Sequence, residues 1–163
     1  MRHVPLAAVL VFSVPVLSAS VLSADAPSPV AAEVEKGVKA YNAQDIAYYE
    51  RVLSPDAVYI AEDGAIFAGK ERVLRVFSRI FGKTPVRQLA ITDLTTGSRG
   101  EVAWARFKWT LTMGPDSRQG VSSILFARAG DAWQVLQIQS TATGHVMAGA
   151  PTPAASSSPS PKP

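Results

Sequence analysis

The apolar residues of this chain recur every third or fourth residue in three early segments, broken by one short hairpin, and every second residue from Val86 on, which confines it to helices followed by a long-stranded sheet. Over residues 29–42, Val30, Val34, Val38 and Tyr41 fall on one helical face, with Glu33, Glu35, Lys36 and Lys39 on the other. Asn42-Ala43-Gln44 interrupts the pattern. Asp45 is suited to N-cap a second short helix over Ile46–Leu53, which Ser54-Pro55 ends. A short strand to Ile60, a Glu62-Asp63-Gly64 turn and a return over Ala65–Phe67 read as a hairpin. Lys70–Phe81 is a third helix, with an apolar stripe of Val73, Val76, Phe77, Ile80 and Phe81 opposite Arg72, Arg75 and Arg79. From there the period is two. Strands are expected over Val86–Leu94, Val102–Met113, Gln119–Arg128 and Ala132–Ser140, with turns at 98–101, 114–116 and 129–131. The class is α+β, three helices packed on an antiparallel sheet of about four long strands plus a short hairpin.

Alternation assigns faces. Ala103, Ala105, Phe107, Trp109 and Leu111 share the face expected to cover the helices, while Trp104, Arg106, Lys108 and Thr110 point to solvent or to a second subunit. In the last strand Trp133, Val135, Gln137 and Gln139 share a face. Two readings stand: the amides line a pocket or its mouth, or they lie on the convex solvent face with Leu136 and Ile138 packed inward.

The reagent list is short. There is no cysteine, and the two histidines, His3 and His145, fall outside the expected core. Nucleophile–histidine triads and thiol chemistry are thereby excluded from it. The acidic residues are scattered and no glycine-rich phosphate loop is present, so neither a metal site nor a cofactor is expected. The formal charge of +3 falls to about +2 without Arg2, and the basic residues form no stripe with aromatics between them, which speaks against nucleic acid as a partner.

The ends differ from the middle. Met1-Arg2-His3, then an almost wholly apolar Val4–Leu22, then small residues, describe a signal peptide over 1–24 with the cut somewhere in 20–26. The apolar run approaches the ~20 residues of a membrane span, but Pro5, Pro15 and the small residues at its exit favour cleavage, leaving no stable membrane anchor. The protein is expected to be exported, periplasmic or secreted. Residues 147–163, proline- and serine-rich, are expected to form a disordered tail. Residues 25–146 are left as one domain, long enough for a core without disulfides.

Four segments in order carry a resemblance: Ala40-Tyr41-Asn42-Ala43-Gln44-Asp45, Leu53-Ser54-Pro55-Asp56-Ala57-Val58-Tyr59, Asp63-Gly64 with Gly69-Lys70 before a helix, and Gly130-Asp131-Ala132-Trp133-Gln134-Val135. Over roughly residues 29–142 the chain resembles the nuclear transport factor 2-like superfamily, in particular its SnoaL-like and ketosteroid-isomerase-like branch. The resemblance implies a cone, with a curved sheet wrapped around the helices, a pocket at its wide end and commonly a homodimer through the sheet. Ketosteroid isomerases use a carboxylate base with a tyrosine and a protonated aspartic acid as oxyanion hole. Matching the segments puts those three positions at Ala61, Gly37 and near Ser123 or Ile124, and none carries the required group.

Two functions follow as expectations. The first is a non-catalytic domain that binds a small hydrophobic ligand, or a partner protein, through an apolar pocket. Its walls would come from Tyr41, Tyr49, Tyr59, Phe77, Phe107 and Trp109, with Phe81 a further candidate, and Gln137 and Gln139 would contact the ligand. The second is an isomerase- or cyclase-type enzyme with Glu62 or Asp63 as base and Tyr59 or Tyr49 as donor. Both carboxylates also fit an exposed turn. A carboxylate facing a closed apolar pocket would favour the enzyme.

Overall fold

The computed structural model describes residues 28–146, so the expected leader and tail lie outside the described residues. The elements are α1 (Ala31–Ala43), α2 (Ile46–Val52), β1 (Leu53–Ile60), β2 (Ile66–Ala68), α3 (Lys70–Phe81), β3 (Arg87–Arg99), β4 (Val102–Met113), β5 (Asp116–Ala129) and β6 (Ala132–Val146). Three helices pack on one open sheet of order β2-β1-β6-β5-β4-β3, an α+β cone. The hairpin is not separate from the meander: β1 runs parallel to β6, with Tyr59 opposite Ile138, which makes the sheet six-stranded and mixed. Leu53, expected to end α2, instead opens β1. Its carbonyl carbon turns to ψ 131°, so the chain passes from helix to strand with no loop.

The alternation of β4 holds along its length. Ala103 and Ala105 are fully buried and Phe107, Trp109 and Leu111 nearly so, while Trp104 is 44% exposed. They meet Val34 of α1, Tyr49 of α2 and the Val73, Phe77, Phe81 stripe of α3 in one core. β3 continues to Arg99, past the expected stop at Leu94. Asp93 takes a left-handed φ of 54° where the register shifts between Thr92 and Thr95, and the strand bends there and carries on.

The Ala40–Asp45 segment is a joint. Gln44 closes α1 in the left-handed conformation, with its N–H on the carbonyls of Ala40 and Tyr41. Asp45 caps α2 by accepting the Tyr48 N–H at 3.1 Å. Asn42 reaches the open edge of β3, where its Nδ2 donates to the Leu89 carbonyl at 2.9 Å and its Oδ1 accepts the Leu89 N–H at 2.7 Å. One side chain thus completes the ladder where no further strand pairs and moors α1 to the sheet.

Candidate functional site

Between the helices and the concave face of the sheet lies a cavity of about 160 Å³. Tyr41, Tyr49, Tyr59, Phe77, Phe107 and Trp109 all line it, as the alternation and helical stripes predict. Tyr49 stacks on Phe77 (centroids 4.5 Å, planes 19° apart), and Phe77 stacks in turn on Tyr59 at 5.7 Å. Phe81 belongs to the core behind this wall, edge-on to Tyr41, and does not line the cavity. Its place on the helix stripe is one turn past Phe77, beyond the reach of the opening.

The polar groups on this apolar lining are few. The Tyr49 hydroxyl donates to the Gly37 carbonyl and the Tyr48 hydroxyl to the Glu33 carbonyl, each at 3.0 Å, tying α2 to α1. Tyr49 is therefore not a free donor for a ligand. Across the cavity, Ser122 of β5 and Ser140 of β6 hydrogen-bond through their hydroxyls at 2.8 Å. The Trp109 indole N–H is buried without a hydrogen-bond partner among the described residues, a costly state that a bound acceptor relieves. Burial raises every tyrosine from its ordinary value. Tyr59 is pushed to about 12, with the charge of Glu62 adding to the effect, and Tyr48 to about 12, with Glu33 adding. Tyr49 is raised further by burial. Tyr41 is raised by burial while the Arg87 guanidinium beside it opposes the shift.

Three charged side chains line the cavity: Glu33, Glu62 and Arg87. Glu33 is paired with Lys36 at 2.7 Å. Glu62 lies where this cavity meets a second, more open chamber of about 230 Å³, and its Oε2 is 2.8 Å from a guanidinium nitrogen of Arg118. Tyr59 and Ile80 line both chambers. Arg87 and Arg118 belong to no motif, yet parity marks both. Arg87 alternates with the inward Leu89, and Arg118 with the inward Gly120, Ser122, Ile124 and Phe126, so each is a charge in an apolar register.

Besides Phe81, three expected site residues lie outside the inner cavity's lining. Gln137 and Gln139 lie on the convex face, because β6 carries a bulge: Leu125 pairs with Gln137 but Phe126 with Val135. The extra residue, Leu136, inverts the alternation, so Val135, Ile138 and Ser140 face the cavity and the amides do not. Asp63 is exposed in the β1–β2 turn, where its Oδ1 accepts the Ala65 N–H at 3.0 Å, and it borders only the outer chamber. The isomerase positions behave likewise. Ala61 borders the outer chamber only, Ser123 is exposed, and Ile124 and Gly37 line the cavity without an ionisable group. A side chain on Gly37 would begin 3.7 Å from the Tyr48 hydroxyl, so Tyr48 occupies the space in front of it.

The fold has many solved relatives. A nuclear transport factor 2-like protein of unknown function from Pseudomonas putida KT2440 is 21% identical, with 70% of this chain and 84% of that chain covered at a TM-score of 0.65. A candidate dehydratase of the same family from Streptomyces avermitilis is 18% identical over 70% of this chain and 93% of that one, TM-score 0.65. A candidate aromatic ring hydroxylase from Novosphingobium aromaticivorans is 15% identical over 72% and 90%, TM-score 0.62. At these identities the likeness is one of fold. A search of curated proteins gives no match. The SnoaL-like domain family matches residues 30–143, from the start of α1 into β6, and the chain, whose fold is that of the nuclear transport factor 2-like structures, belongs to the SnoaL-like domain family.

Proposed function

We propose that the domain is a binding module for a small, single-ring-sized apolar ligand held in the aromatic cavity, carried by an exported protein. The observation that carries this reading is the cavity's size against its lining. About 160 Å³ is close to the roughly 150 Å³ of an engineered apolar cavity that stays dry and takes up benzene. A four-ring body exceeds it, whereas a single ring with a substituent reaching the outer chamber fits. Titration calorimetry with indole as a neutral probe tests it. Binding with one site per chain is expected, and Val38→Phe, which adds a ring to a cavity-lining position of α1, should abolish it while the protein stays folded. Equal binding by wild type and the filled variant contradicts the reading.

The enzymatic reading rests on Glu62 alone, since it is the carboxylate that lies beside both the cavity and Tyr59. Its commitment to Arg118 at 2.8 Å favours a positioned charge over a proton shuttle. We propose, too, that the convex face carries a homodimer contact. Trp104, Leu125 and Gln137 stand in one row across β4, β5 and β6, with Trp104 44% and Leu125 36% exposed. Trp104→Glu should convert a sedimenting dimer into a monomer, and a wild-type monomer contradicts the contact.

A further inference from the structure

The charges that line the cavity do not cancel one another. Glu33 is neutralised by Lys36 and Glu62 by Arg118, and both cations approach from outside the inner cavity's lining. Arg87 is different. It lines the cavity from the first position of β3, is only partly exposed, and has no carboxylate within ion-pairing distance among the described residues. The Tyr41 hydroxyl lies beside its guanidinium. A half-buried arginine on an apolar wall forgoes part of its hydration, and a planar two-oxygen anion is the partner that its fork of donors matches. The Trp109 indole N–H, from the neighbouring strand β4, is a further donor in the same lining that lacks an acceptor among the described residues.

We propose that the cavity takes a small aromatic acid, its ring against Phe77, Tyr49 and Tyr59 and its carboxylate on Arg87 with the Tyr41 hydroxyl. This rests on the cavity being a ligand site at all, and it adds the charge of the ligand to that reading. Tyr41 holds its proton throughout the physiological range, so it donates to the carboxylate rather than repelling it. The paired state of Glu62 matters equally: Arg118 offsets the one carboxylate that borders both chambers and would otherwise oppose an incoming anion.

The test is calorimetry on the full chain with benzoate and benzamide, which share ring and shape and differ in charge. Wild type should bind benzoate at least about tenfold more tightly than benzamide, the scale of a charge-assisted pair. Arg87→Met should remove that preference by weakening benzoate far more than benzamide. Arg87→Lys, which keeps the charge but loses the fork, should retain only part of it, and its unchanged thermal midpoint guards against a folding explanation. Benzoate and benzamide bound alike, or a benzoate preference that survives Arg87→Met, overturns the acid inference and leaves the cavity reading standing. Neither probe bound, with indole also unbound, overturns both.

Discussion

Gly120 of β5 and Gly97 of β3 each lie under a tryptophan, and the comparison shows what fixes the cavity wall. A methyl on Gly120 would collide with the Trp109 ring and with the Thr141 carbonyl, and backbone cannot swing aside. A methyl on Gly97 meets only the Trp104 indole, at 2.7 Å, a side chain rather than backbone and one that is 44% exposed within the protomer. Gly120→Ala should therefore lower the unfolding free energy by about 1–3 kcal/mol, the usual penalty of overpacking. Gly97→Ala should cost well under half as much, both read by chemical denaturation. Equal penalties would mean that Trp104 is held as firmly as Trp109. Trp109 itself was legible as a wall residue, since its parity with Phe107 and Leu111 requires only an unbroken β4. Its glycine floor was not, because it depends on the pairing of Trp109 with Gly120 across strands.

At the scale of elements, α1 holds its position over the sheet through Asn42. Its amide satisfies both backbone groups of Leu89 on the open edge of β3, and truncation leaves a part-buried N–H and C=O without partners. Asn42→Ala should destabilise the fold by about 1–3 kcal/mol and raise the exchange rate of the Leu89 amide, measured by hydrogen exchange. Unchanged protection at Leu89 would show that another group covers the edge. Elements with an uninterrupted period were readable in advance: α3 and β4 have the expected bounds. Elements with an extra residue were not. The bulge at Leu136 inverts the remainder of β6 and sends Gln137 and Gln139 outward, and a left-handed Asp93 carries β3 past Leu94. A bulge is a relation between two strands, so one strand's pattern does not contain it. The same holds for the parallel join of β1 to β6, which unites hairpin and meander.

For the molecule as a whole, the four tyrosines report on the cavity together. All four are raised above the ordinary value of 10.0, chiefly by burial, with Tyr48 and Tyr59 near 12. In the unfolded chain they lose protons around pH 10, while the folded chain keeps them. The tyrosines' contribution to stability is thus constant with pH up to about 10 and falls as pH rises toward 12, because the unfolded state then binds fewer protons. Native protein at pH 10 should show little tyrosinate absorbance, and the signal should appear with unfolding or above pH 11 to about 12. Half-titrated tyrosines at pH 10 in folded protein would mean that the cavity is open to water. The helical stripe of α3 and the aromatic residues that line the cavity were legible from residue types and period. The ion pair of Glu62 with Arg118, and an Arg87 without a carboxylate partner among the described residues, were not, since they depend on how separate elements meet around the cavity.

The central claim is that the concave face, and not the convex one, receives a small ring. Nuclear Overhauser contacts between bound indole and the protein's methyl groups test it most directly. Contacts to Val38, Leu111 and Ile124, which line the cavity, are the predicted result. Contacts confined to Leu125 and Val102, both exposed, or no contacts at all, would contradict it.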